Sequence, residues 1–225
     1  MRNSPYKNIF ITALILILIS SCAPAVLKSS AYKELYKEKP VAILIMPPIN
    51  KSTNVEAKGY FHSTLTVPIA NQGYYVIPAF LSMEILKTES AYDSELFING
   101  PLTKFGEIFG ADALFFTIIH KWNKSAIGAS VTVDIEYILK STKTAKILYT
   151  RRGTLVYNTA SNSGGNVYAN IASSLIKTAM ADYVILARKC NGYTLSDLPA
   201  GNYSPKYKID GKEPAGRKVF KATIQ

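Results

Sequence analysis

The chain has 225 residues, with 26 lysines and arginines against 15 aspartates and glutamates, a formal net charge of +11, and two cysteines. This length is enough to bury a sizeable hydrophobic core in one domain. Two cysteines exclude a fold that depends on several disulfides. The basic excess favours an anionic partner, although a solvated basic face without a dedicated partner is the commoner reason for such a charge.

The first 21 residues have the composition of an export signal. Arg2 and Lys7 form a basic start, and residues 9–19 are almost wholly apolar. This run is too short for a transmembrane helix, which needs about 20 apolar residues, and is typical of a signal peptide. Cys22 follows an Ile-Ser-Ser tripeptide, and this arrangement resembles the lipobox of bacterial lipoproteins. We therefore expect removal of residues 1–21 and lipidation of Cys22; an ordinary secretory signal beside a chance cysteine is the alternative.

A lipid on Cys22 has consequences for the rest of the chain. Several acyl chains anchor a protein durably, so we expect a protein that is held at the outer membrane by its lipid, facing the periplasm or the cell surface, and does not span the bilayer. Cys190 then has no disulfide partner, and we interpret it as a partly buried structural thiol. Loss of Arg2 and Lys7 leaves 24 basic and 15 acidic residues, a net charge of +9. Because an exported protein rarely meets nucleic acid, anionic lipid head groups, lipopolysaccharide or an acidic protein are better candidates than DNA as partners of this charge.

The mature chain divides into three predicted parts. Residues 22–39 are polar and lightly patterned, which predicts a tether between the lipid and the domain. Residues 40–192 contain the apolar runs of an α/β domain. Residues 193–225 are turn-rich and basic, which predicts a C-terminal tail.

Five segments have the patterns of strands. Continuous apolar runs predict strands buried on both faces, and strict alternation predicts a strand with one wet face. The segments are residues 41–46, 74–77, 113–119, 130–140 and 147–157. Helical spacing of apolar residues between the first three predicts a β-α-β-α-β order, and the last two predict an antiparallel hairpin.

A long helical pattern follows the hairpin. Two adjacent apolar rows run from Val167 to Val184 and predict a helix of about 23 residues that ends before Asn191. The predicted fold class is therefore α/β, with a mixed sheet of about five strands packed by helices that include a long C-terminal one.

No residue set in the sequence has the spacing of a catalytic, cofactor or metal site. Asp134 and Glu136 share one face of a predicted strand, but their neighbours indicate an ordinary solvated face. His62 and His120 are the two histidines, and they lack a ligand spacing such as H-x-x-x-H. Ser163-Gly164-Gly165 lacks the phosphate-binding patterns and is interpreted as a flexible helix entry. We therefore expect no cofactor, no metal and no enzymatic activity.

Several strings of the domain resemble one protein family. Residues 66–78 read Thr-Val-Pro-Ile-Ala-Asn-Gln-Gly-Tyr-Tyr-Val-Ile-Pro, residues 109–114 read Phe-Gly-Ala-Asp-Ala-Leu, and Lys121-Trp122 follows. These strings are similar to those of a family of bacterial lipoproteins typified by a meningococcal surface-exposed vaccine-candidate lipoprotein, over about residues 40–190. The chain departs from many members at Leu148-Tyr149, where they carry Leu-Trp, and in the turn at 141–145, which lacks the usual glycine.

The resemblance implies a fold and a setting. The fold implied is similar to the N-terminal domain of the Tol-system β-propeller protein and to the periplasmic part of the curli secretion channel lipoprotein. The setting implied is envelope transport, beside a curli-channel-like lipoprotein as partner. The family supplies no catalytic residues that would carry over to this chain.

Together, these features predict a lipid-anchored, non-enzymatic envelope protein that binds other envelope proteins, with a homodimer as one option. It would be an accessory component of an outer-membrane secretion or transport assembly. The 15 tyrosines and 9 phenylalanines suit such interfaces, although core filling explains them equally well. Trp122 is either a contact residue or a wedge against the hairpin. The alternatives are a binding module for an envelope glycan or small hydrophobic ligand, and a hydrolase.

Overall fold

A computed structural model describes residues 25–125, 130–158 and 183–224. The strands are β1 (Ala42–Ile45), β2 (Ile49–Asn50), β3 (Tyr75–Val76), β4 (Ala113–Ser125), β5 (Ser130–Ser141), β6 (Ile147–Asn158) and β7 (Val219–Ile224). The helices are α1 (Lys28–Ala31), α2 (Lys33–Glu38), α3 (Ala57–Ser63), α4 (Thr66–Asn71), α5 (Ala79–Thr88), α6 (Thr103–Phe109) and α7 (Tyr183–Leu195), with 3₁₀ turns at Ser94–Leu96 and Asp210–Lys212.

The described strands form one mixed sheet of seven strands in the order β3-β1-β4-β5-β6-β7, with β2 paired to β4. Strands β3, β1 and β4 run parallel to one another. Strands β4, β5 and β6 form an antiparallel meander, and β7 runs parallel to β6. The predicted α/β class is confirmed, and all five predicted strands are present. The structure adds two strands to them, β2 and β7.

The two faces of the sheet are covered differently. Strand β1 is buried on both faces, with Ile43 and Ile45 in the main core and Leu44 and Met46 in a second, smaller core. The main core lies under α3, α4 and α7, and the second lies under α5 and α6. Strand β5 shows the predicted alternation, with its inward side chains fully buried and most of its outward ones partly exposed. The outer face of the meander is therefore open to solvent where the second core does not cover it.

One buried amide joins the sheet to two helices on the main core. Asn191, on α7, is fully buried, and its Oδ1 accepts a hydrogen bond from the Tyr137 hydroxyl on β5. Its Nδ2 donates to the Phe61 carbonyl oxygen at 3.2 Å and to Thr64 Oγ1 at 2.8 Å, both at the end of α3. The predicted helix end before Asn191 is therefore wrong, since α7 continues to Leu195. The predicted start of this helix lies outside the described residues.

The segment predicted as a tether is largely part of the domain. Residues 28–38 form α1 and α2, and Tyr32 and Leu35 are 3% exposed in the main core. The Tyr32 hydroxyl donates to Asp197, and Lys28 Nζ lies 3.0 Å from Glu213 Oε2. These contacts revise the tether prediction for residues 28–39. The sequence pattern did not indicate them, because two short helices have too few turns to show an apolar stripe.

The predicted basic tail is also packed onto the domain. The backbone N–H of Gly201 donates to the Gln72 carbonyl oxygen at 2.8 Å, and that of Tyr203 donates to Gly73 at 2.9 Å. A carboxylate oxygen of buried Asp210 accepts from the Ala200 N–H at 2.7 Å. The turn-rich stretch thus packs along the main core as far as β7. The domain boundary predicted after residue 192 falls inside α7, which ends at Leu195. Within the described ranges, no helix has the length and apolarity that crossing a bilayer requires.

Gly153→Ala tests how β7 is seated on the sheet. A Cβ at Gly153 would overlap the Phe220 ring, which lies directly over this glycine. The substitution should lower the free energy of unfolding by about 1–3 kcal/mol, the usual cost of overpacking, in urea titrations. In a Phe220→Ala background the space is free, so the added loss should be much smaller. An equal loss in both backgrounds would contradict this explanation.

Candidate interaction surface

The sheet ends in an open strand edge at β7. The Arg152 N–H on β6 donates to the Lys218 carbonyl oxygen at 2.7 Å, and Arg152 is in register with Val219. In a parallel ladder alternate residues carry the bonds to one neighbour. The backbone N–H and C=O groups of Val219, Lys221 and Thr223 therefore point away from β6. Within residues 25–125, 130–158 and 183–224, no strand lies beyond them.

Aromatic and cationic contacts fix this strand in place. The Phe220 ring lies 5.6 Å from the Tyr193 ring of α7, centroid to centroid, and the Arg151 guanidinium lies 4.4 Å from the Phe220 centroid. Arg151 is itself buried and donates to the Thr194 carbonyl oxygen at 2.7 Å. Gly153 leaves the space that the ring occupies. The edge is thus held by the core and presents a preformed row of hydrogen-bonding groups.

The side chains of β7 differ between its two faces. Val219, Lys221 and Thr223 are in register with outward-facing residues of β6 and are exposed, Val219 by 71%. Phe220 and Ala222 lie on the main-core side and are only half-buried. An apolar strip therefore remains open along the edge on the core side, while the opposite side presents Lys221 and Thr223 beside exposed Val219.

The open face of the meander carries paired charges. Arg152 donates from Nε to Asp134 Oδ1 at 2.8 Å and from Nη2 to Oδ2 at 2.7 Å. These hydrogen bonds lower the pKa of Asp134 below its usual value. Glu136 Oε2 lies 2.8 Å from His120 Nε2. Each carboxylate has its own cationic or ring partner, so the structure gives Asp134 and Glu136 separate roles in charge pairing rather than one acid/base pair.

The two histidines lie in different parts of the fold. His120 lies on the open face, whereas His62 is on α3, and burial lowers the pKa of its imidazole. No three His, Cys, Asp or Glu side chains group together as a metal site within the part of the chain that the structure describes.

Cys190 is fully buried on α7, and burial raises the pKa of its thiol to about 12. Such a thiol is unreactive at neutral pH.

Two predicted features lie outside the described residues, Cys22 and the Ser163-Gly164-Gly165 string. Trp122, predicted as a contact residue or a wedge, is 3% exposed and packs edge-on against Phe61 and Tyr183. It therefore joins the end of β4 to α3 and α7. The indole Nε1 has no hydrogen-bond partner in the described structure.

Four of the six basic residues of the predicted tail lie at two places. Lys206 Nζ pairs with Glu213 Oε1 at 2.8 Å, close to buried Lys28. Arg217, Lys218 and Lys221 lie at or beside the exposed edge. Sequence reasoning missed this edge although Val-Phe-Lys-Ala-Thr-Ile alternates and contains β-branched residues. Its flanking lysines and the preceding turns gave the segment the composition of a tail.

Asp134→Asn tests the charge pair on the open face. Because the folded pKa is lowered, the stabilisation is present above the ordinary carboxyl pKa of about 3.9 and is lost as pH falls through the folded value. The pair is partly exposed, with Arg152 41% accessible, so we expect a loss of about 0.5–1 kcal/mol at neutral pH. Urea titrations should show this difference shrinking to nothing in strong acid. Asp93→Asn, at an exposed carboxylate, should change little at any pH; a pH-independent loss for Asp134→Asn would argue against the pair.

Comparison with known proteins gives a family. A family model described as "Putative lipoprotein GNA1162-like" matches residues 30–202. The lipoprotein NMB1124/NMB1162 of Neisseria meningitidis serogroup B is 21% identical over 207 residues, which cover 91% of this chain and 94% of that protein.

Three solved structures show weaker likeness. Lipoprotein GNA1162 from Neisseria meningitidis has a TM-score of 0.49 at 21% identity, covering 63% of this chain and 99% of that one. A PelC dodecamer from Paraburkholderia phytofirmans has a TM-score of 0.39 at 13% identity, covering 72% of this chain and 89% of that one. The LpoB C-terminal domain from Escherichia coli also has a TM-score of 0.39, at 12% identity, covering 54% of this chain and 92% of that one. These values are too low to transfer a function.

The family recognised in the sequence is thereby confirmed, while the likeness to the Tol-system and curli proteins stays a prediction. The family is one of lipoproteins, and these comparisons indicate no enzyme family. Because its model spans most of the chain, this protein belongs to the GNA1162-like lipoprotein family.

Proposed function

We propose that this chain is a lipid-anchored, non-enzymatic accessory protein of the outer membrane, and that it works by binding other envelope proteins in a secretion or transport assembly. The observation that carries the proposal is the open edge of β7, which the core holds in a fixed position. An extended segment of a partner can add to such an edge through main-chain hydrogen bonds. A curli-channel-like lipoprotein is the partner that the family resemblance suggests.

The cavities offer less support for the alternative of a small-ligand protein. The small pocket beside Tyr36 and Tyr74 measures about 20 Å³, which is room for about one water molecule. Open clefts of about 510, 380 and 540 Å³ lie beside Trp122, Ile138 and Asp197 respectively, and a glycan-binding function would need a cleft of this size. The edge of β7 has, in addition, outward main-chain groups that no strand of the described residues pairs with.

Proposed lipidation at Cys22 sets the distance of the domain from the membrane. The described chain is already bonded to the domain at Val26, whose carbonyl oxygen accepts from the Ala215 N–H at 2.7 Å. Residues 22–26 can span at most roughly 17 Å when extended. The domain would therefore stay close to the bilayer, where its net positive charge meets anionic head groups.

Cys22→Ala tests the anchor. The variant should lose labelling by a fatty acid and should no longer sediment with membranes, because the thiol is the attachment point. The circular dichroism spectrum of the purified variant should match the parent, since the packed domain begins after Cys22. Cys190→Ala is the matched control and should keep the label, although loss of a buried side chain lowers its stability. Retention of the label by Cys22→Ala would refute the anchor.

Photo-cross-linking tests the edge. A photoreactive residue at Val219 should form adducts with another envelope protein in intact cells, whereas one at Tyr203, which is 67% exposed but away from the edge, should not. Thr223→Pro removes an outward N–H and should suppress the Val219 adduct while the domain stays folded.

Ala222→Pro provides the matched control for this variant. Its N–H points toward β6, so this substitution should lower the stability of the domain itself. Adducts of equal yield from Val219 and Tyr203, or an unchanged Val219 adduct in Thr223→Pro, would show that the edge is not the binding surface.

A further inference from the structure

We infer that the edge of β7 binds an extended protein segment in which acidic and apolar residues alternate, and that a second copy of this chain does not occupy it. This inference rests on the proposed protein-binding function and adds the chemistry of the partner. Three properties of the edge support it: the charge around the strand, the consequence of that charge for self-pairing, and the difference between the two faces.

The charge around β7 has one sign. Residues 214–225 contain Arg217, Lys218 and Lys221 and no aspartate or glutamate. Two carboxylates in the adjoining structure are already engaged. Asp134 is held by Arg152 through two hydrogen bonds, and Asp197 accepts from the Gly216 N–H at 2.7 Å and from the Tyr32 hydroxyl. The cations at the edge are therefore not balanced by these acids, and an acidic segment would neutralise them.

The same charge disfavours a second copy. In a two-fold antiparallel pairing centred on the strand, Lys221 would face Lys221 of the other copy, and like charges directly opposite are destabilising. A parallel pairing of two β7 strands has no two-fold axis and does not close into a dimer. Lysine on an edge strand is a known means of preventing self-association. An acidic strand removes this penalty and replaces it with attraction.

The two faces of β7 determine how acidic and apolar residues alternate in the partner segment. On the open side the partner would lie beside Val219, Lys221 and Thr223, where an acidic residue can pair with the lysine. On the core side it would lie beside the half-buried rings and methyl groups of Phe220 and Ala222, which an apolar side chain would cover. Since side chains of a strand alternate between faces, the sequence that fits has an acidic residue on the open side, beside Lys221, and apolar residues on the core side.

Peptide binding tests the inference directly. The full-length protein, purified in detergent, would be titrated into three fluorescent peptides, and binding would be measured by anisotropy. The first peptide alternates valine and glutamate, the second alternates valine and lysine, and the third has the composition of the first with its valines and glutamates in separate blocks. We expect saturable binding of the first peptide alone, weakened by added salt.

Charge reversal at the edge should change the preference. Lys221→Glu should weaken binding of the valine–glutamate peptide roughly fivefold to tenfold and should allow the valine–lysine peptide to bind. Lys212→Glu makes the same change in net charge at an exposed site outside the edge and should leave the affinity unchanged. Thr223→Pro should weaken binding of the first peptide without changing its preference for acidic residues.

Several outcomes would overturn the inference. Equal binding of the glutamate and lysine peptides would refute the acidic partner, and equal binding of the alternating and block peptides would refute the two-faced pattern. A dimer of this chain cross-linked through Val219 would show a second copy at the edge. If no peptide binds while Val219 still forms adducts with an envelope protein in cells, the partner chemistry is wrong and the proposed function stands; absence of both would refute both.

Discussion

The amide of Asn191 is the interaction on which the rest of the structure depends. It is fully buried, and it bonds at once to the central strand β5 and to the end of α3. A buried amide whose donors and acceptor are used in this way allows one arrangement of its neighbours, because any shift leaves polar groups unpaired. The next residues of the same helix then position the edge. Tyr193 packs on Phe220, and the Thr194 carbonyl oxygen accepts from Arg151. The fixed position of β7 thus follows from the docking of α7.

The uneven cover of the sheet explains where charge collects. In the parallel part, helices cover both faces of the central strand β1, so this strand is apolar throughout. The antiparallel part has helices on one face, and its outer face is stabilised by pairs such as Asp134 with Arg152 and Glu136 with His120. These pairs engage the acids, and among the described residues no ion pair is formed by Lys218 or Lys221 at the adjacent edge. The edge is therefore basic because the acids of the open face, Asp134 and Glu136, are already paired with Arg152 and His120.

Much of the fold could be predicted because its long strands carry strong patterns. Continuous apolar runs marked β1 and β4, and strict alternation marked β5, since those patterns follow directly from burial on two faces or on one. The edge strand β7 was not predicted because an edge strand is only partly buried. A lysine such as Lys221 is tolerated there as well as a valine, so the segment lacks the continuous apolar pattern of a buried strand. Residues 28–38 were misread because their burial depends on two side chains, Tyr32 and Leu35, that contact distant parts of the chain. Such long-range contacts leave no local periodicity.

The first described residues are bonded to the chain just before β7, and with the anchor proposed at Cys22 this bears on how a partner would be found. Val26 bonds to Ala215, Leu27 is paired with Pro214, and β7 begins shortly after, at Val219. With a lipid on Cys22, as proposed, a chain of residues 22–26 would keep this end within roughly 17 Å of the bilayer surface. A partner anchored in the same membrane would then meet the edge at a high effective concentration, so main-chain pairing along one short strand could suffice without a large interface. The proposed lipid anchor and the proposed binding edge would in this sense be complementary, since the anchor would supply the encounter and the strand would supply the selectivity.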